Sequence, residues 1–148
     1  MYIHEIINTM KKILFVLILV LTTTTSKGQL TLPTKIVGEF NNDVHFGKIQ
    51  VFSDTYEWIY SNLEQTKRGE KYVIKFKGDP KLIEDLYSIL SNQMNKPFKT
   101  EFSFNLGDKS LHLFTTDPSP IEGKKLLISI DNTYFTVNES QLNKLFGK

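Results

Sequence analysis

Cysteine is absent from the 148 residues. That excludes disulfides, thiol nucleophiles and zinc sites built from thiolates, and leaves no acceptor for a lipid on the first residue of a processed chain. Arginine occurs once, as Arg68. Phosphate backbones are bound mainly by clustered Lys and Arg, so nucleic acid is not expected as a partner. No apolar run approaches the about 20 residues a bilayer span requires. Also missing are Gly-x-Ser-x-Gly, a glycine-rich phosphate loop with its lysine, and His-Glu-x-x-His. The eight glycines stand singly, where turns need them.

What is present begins with residues 13–21, an unbroken run Ile-Leu-Phe-Val-Leu-Ile-Leu-Val-Leu preceded by Met10-Lys11-Lys12 and followed by a Thr-rich stretch ending Ser26-Lys27-Gly28. A charged start, a short apolar middle and small residues at the cut are the parts of a secretory signal peptide. Residues 1–28 are thus expected to be removed, with Met10 competing with Met1 as initiator and an uncleaved anchor as the alternative. Residues 29–148 then form one exported domain, secreted or periplasmic, with no membrane anchor after cleavage. Of eighteen basic and sixteen acidic residues, three and one lie in the first 28, so the mature chain carries fifteen of each and is neutral. A short Lys-Lys signal and an Asn-, Ile- and Lys-rich composition point to a bacterial source.

Residues 29–42 read as an extended or irregular lead-in, and residues 44–52 as the first strand. Asp54 with Glu57 forms a capping box and Lys67-Arg68-Gly69 resembles a helix end, which together predict a helix over 55–68. The competing reading makes Tyr56, Trp58 and Tyr60 alternate residues of an aromatic strand. Residues 71–77 alternate cleanly, with Tyr72, Ile74 and Phe76 on one face. Asp79 caps and Pro80 opens a helix whose stripe is Leu82, Ile83, Leu86, Leu90 and Met94, stopped by Asn95 and Pro97.

Two hairpins follow. Gly107-Asp108 suits a type II′ turn, pairing Leu106 with Lys109, Phe104 with Leu111 and Phe102 with Leu113. Asp131-Asn132 suits type I′, pairing Ile130 with Thr133, Ile128 with Phe135 and Leu126 with Val137. Between them, residues 116–123 form a surface loop. Asn138 caps a short last helix, Gln141 completes the box, and Leu142, Leu145 and Phe146 face inward. No repeat longer than a hairpin is visible. The fold class expected is α+β, a mainly antiparallel sheet of about five or six strands with two to three helices, in a single domain.

Chemistry is sparsely signalled. His45 and His112 are the histidines left after cleavage, neither at metal-ligand spacing from another good ligand, and no metal or cofactor is expected. The carboxylates Asp79, Glu84 and Asp85 are explained by helix capping and the helix dipole, and Glu39 and Asp43 lie in the lead-in. Asn138-Glu139-Ser140 matches a glycosylation acceptor, although capping accounts for Asn138. Trp58, Phe98, Phe114 and Tyr134 fall where periodicity turns them away from the main apolar face, and exposed aromatics anchor partners or stack on sugar rings. Trp58, Phe114 and Tyr134 are the expected binding residues.

The leading expectation is a non-enzymatic binding or accessory protein of a bacterial envelope or the extracellular space, with a protein or saccharide partner. Its surface would be the open sheet face and the 116–123 loop. Against it stand a small secreted hydrolase, which would set His112 or His45 beside acidic residues in a cleft, and an inhibitor or immunity-type protein, which would carry a patch of one charge sign.

Overall fold

In the computed structural model, which describes residues 32–42, 44–64, 68–121 and 123–148, eight strands form two separate antiparallel meanders. The expected signal peptide lies outside the described residues. The first sheet holds β1 (Lys35–Asn41), β2 (Phe46–Phe52), β3 (Thr55–Ser61) and β4 (Lys71–Lys77), in that order. Helix α1 (Pro80–Met94) follows, then the second sheet of β5 (Glu101–Leu106), β6 (Lys109–Thr115), β7 (Lys125–Ile130) and β8 (Thr133–Asn138), and last α2 (Glu139–Leu145). Each half therefore runs four strands and a helix. The order of element types recurs, although the two helices differ in length, 15 and 7 residues.

Two expectations are corrected here. There are eight strands in two sheets rather than five or six in one, because the lead-in supplies β1 and residues 55–61 are strand rather than helix. The strand wins at 55–61 because both of its lateral neighbours place β-formers in register: Trp58 lies between Ile49 and Ile74, and Tyr56 between Val51 and Phe76. Side chains on a pleated, half-buried surface gain more from those neighbours than from a capping box. The cap residues serve elsewhere. Asp54 is the second residue of the β2–β3 turn and lies 3.6 Å from Lys77. Gly69, at φ 86°, closes the β3–β4 loop by donating its N–H to the Asn62 carbonyl.

Elsewhere, local reading and fold agree, except that the Asp131-Asn132 turn is not the type I′ expected. Asp79 Oδ1 accepts from the Leu82 N–H with Pro80 in the first turn, and Ile83, Leu86, Leu90 and Met94 are buried. The β5–β6 and β7–β8 registers are those the turns imply. Gly107 alone has positive φ in its turn, as type II′ requires; Asp131 alone has it in the second turn, where type I′ needs both residues there. The Asn138–Gln141 box closes in both directions.

The helices are exchanged between the halves. Helix α1 packs on β6 and β7 of the second sheet, while α2 packs on β1 and β2 of the first as well as on β8. Their shared core includes Trp58, Ile74, Leu86, Leu113, Ile128, Val137 and Leu145. Three polar junctions tie the parts. The Thr133 hydroxyl donates to the Ile130 carbonyl (2.8 Å), so the Tyr60 hydroxyl, 2.7 Å away, must donate to Thr133; burial pushes the Tyr60 phenol up from its ordinary range. Gln93 donates to the Thr100 carbonyl and Thr115 donates back to the Gln93 carbonyl, pinning the end of α1 to β6. Asn62, fully buried, accepts from the Tyr134 N–H while Leu63 donates to the Tyr134 carbonyl, joining the first sheet to the edge of the second.

On the outer face of the first sheet, Glu57 accepts from Lys75 (2.8 Å) and Gln50 (3.0 Å). These two bonds, Lys75 first, hold its carboxyl below the ordinary range. A lowered folded-state value means the contribution is present above the unfolded pKa and is lost as pH falls through the folded one. Glu57→Gln should accordingly cost up to about 1 kcal/mol near neutrality and nothing once acid has protonated Glu57 in both states. Urea midpoints for the two proteins, followed downward in pH, should converge below the ordinary glutamate range.

Candidate functional site

The outer face of the second sheet, among the described residues, carries no helix. Side chains on paired strands share a face at each register position, so two rows cross it: Ser103–His112–Ser129–Tyr134, and Glu101–Phe114–Leu127–Thr136. Phe114, Leu127 and Tyr134 are half-buried, lying among their neighbours with part of each side chain open to solvent. They form an apolar strip across three strands, framed by hydroxyls and an imidazole. The loop after β6 leaves the sheet one residue beyond Phe114. It is closed by paired Ser119–Gly123 backbone bonds (3.0 and 2.9 Å) and presents Ile121, 94% exposed, at its tip.

Two of the three expected binding residues, Phe114 and Tyr134, are thus on one face. Trp58 is not with them. It is fully buried in the first sheet, edge-on to Phe135 and Phe146 at 5.5 and 6.3 Å. The expectation that periodicity turns it away from the apolar face depended on a helix at 55–68; as a strand, the same spacing points it inward. Phe98 is exposed, in the turn before β5. Leu127 was missed by sequence reading, although the pairing that puts Leu126 and Ile128 inward already places it outward.

His112 accepts or donates at Nδ1 with the Ser103 hydroxyl, 2.7 Å away and exposed. Two cavities lie elsewhere, lined by neither His112 nor His45. One, of about 600 Å³, is walled by Val37, Val51, Tyr56, Ile83 and Phe146 at the start of α1. Its carboxylates are engaged, Asp54 near Lys77 and Glu84 with Lys148 (2.7 Å). The other, of about 420 Å³, is lined by Glu139, Ser140, Asn143, Lys144 and Lys148. No group of three or more His, Cys, Asp or Glu able to hold a metal occurs among the described residues.

The chain matches no family model, no characterised protein and no solved structure. Function must be argued from the surfaces. The two outer sheet faces differ sharply in character. The first carries opposite charges side by side, Glu39 with Lys48 (3.8 Å) and Glu57 with Lys75, and a row of exposed lysines, Lys71, Lys75 and Lys77, along β4. The second is almost uncharged, with Glu101 and Lys125 at its margins.

Proposed function

We propose that this is an exported, non-enzymatic binding or accessory protein of a bacterial envelope or the extracellular space, which engages a protein partner through the outer face of its second sheet. The observation that carries the reading is the Phe114–Leu127–Tyr134 strip on a helix-free, nearly uncharged face. An apolar centre with a polar rim is the anatomy of protein interfaces, in which a few aromatic residues supply most of the affinity. Ser103, His112, Ser129 and Thr136 form the rim, and Ile121 extends the surface. A hydrolase is less well supported, because His112 meets a serine hydroxyl on an open face rather than a carboxylate at the floor of a cleft.

Pull-down from the native envelope with the wild-type protein and with Phe114→Ala/Tyr134→Ala tests this. The wild type should retain a partner that the double variant binds at least about tenfold more weakly. Both chains should unfold at similar urea concentrations, since these side chains are only half-buried. Equal capture by both would overturn the reading, and capture of polysaccharide instead of protein would move the partner to the saccharide class.

A further inference from the structure

Two open meanders have four edge strands, and an unguarded edge is a template for pairing with another strand. Three are guarded. Beside β1, which carries a bulge between Ile36 and Gly38, the end of α2 lies directly against the Gly38 backbone. The exposed side chains of β4 include Lys71, Lys75 and Lys77, and the Gly107 turn sits on its Lys75 carbonyl. At Tyr134, β8 is bonded to residues 62 and 63, and it runs straight into α2. The fourth, β5, has neither proline, lysine nor bulge, and among the described residues pairs only with β6. Phe102 is 45% exposed on it, next to Phe104 at 6.1 Å between ring centroids.

We propose that β5 pairs antiparallel with β5 of a second copy, about a two-fold axis at Ser103, making one eight-stranded sheet across the dimer. The sequence of the strand is self-complementary in that register. Strands related by a two-fold axis perpendicular to the sheet keep Phe102 and Phe104 on one face only if paired residue numbers sum to an even value. Centring on Ser103 sets Phe102 opposite Phe104 of the other copy twice. It also sets the strand's single charge, Glu101, opposite Asn105 rather than opposite itself. Isologous contacts of this kind close on themselves, which satisfies the edge without opening a route to fibres. The inference is independent of the binding function proposed above.

The register makes the test specific. The wild-type chain should sediment as a dimer. Asn105→Glu puts Glu opposite Glu twice and should weaken the dimer by about tenfold. Adding Glu101→Lys to that variant creates two opposite-charge pairs and should restore it. Both positions are exposed, so circular dichroism should be unchanged throughout. In a chain without cysteine, Ser103→Cys should also cross-link under mild oxidation, because residue 103 faces itself. A wild type that sediments as a monomer at every concentration, or a dimer indifferent to Asn105→Glu, would overturn the proposal.

Discussion

Trp58→Ala is expected to lower the unfolding free energy by about 3–5 kcal/mol, the cost of emptying a large aromatic site in a close-packed core. Trp58 is fully buried between Ile49 and Ile74 on its own sheet, meets Phe135 of the second sheet, and reaches Phe146 at the end of α2. Its removal therefore loosens three parts of the molecule together. Small domains are stable by only about 5–15 kcal/mol, so the variant should be barely folded. Trp58→Phe should lose far less. The indole N–H is buried with no hydrogen-bond partner among the described residues, and phenylalanine removes that desolvated donor along with part of the packing. Urea midpoints measure both, and similar midpoints for the two variants would contradict this assignment.

Gly38→Ala should be comparably damaging for a different reason. A Cβ there would stand 2.1 Å from the Lys144 carbonyl oxygen, 2.7 Å from that of Leu145 and 2.8 Å from the Gly147 nitrogen. All three are backbone atoms, so no rotamer change relieves the contact. The end of α2 would have to lift from β1, a strain at the upper end of the about 1–3 kcal/mol that overpacking costs, or beyond it. Gly123→Ala is the control. Its Cβ would meet nothing within 4 Å, and the penalty arises from its φ of 67° alone, about 1 kcal/mol. Thermal unfolding should rank the variants in that order. Proteolysis of Gly38→Ala should begin near the freed C-terminal turn.

The proposed binding face was only partly legible beforehand. Phe114 and Tyr134 could be identified as outward-facing because each lies in a hairpin whose two-residue turn sets the register. Trp58 could not, because five residues from Tyr56 to Tyr60 satisfy a helical and a strand period alike, and the capping pair at Asp54 and Glu57 tipped the balance wrongly. The open edge at β5 was invisible for another reason: whether a strand is an edge depends on which other strands lie beside it.

Local chemistry along the chain was sufficient for α1 with its Asp79 cap and Pro80, for the Asn138 box, and for both later hairpins, since helix caps and two-residue turns are decided by atoms a few positions apart. Long-range packing decided the remainder. Strand status at 55–61 came from Ile49 and Ile74, the division into two sheets from a 15-residue helix about 22 Å long carrying the chain away from β4, and the exchange of helices from which apolar face each could cover. Those outcomes turn on burial between residues far apart in sequence, and burial is a property of the folded assembly rather than of any segment within it.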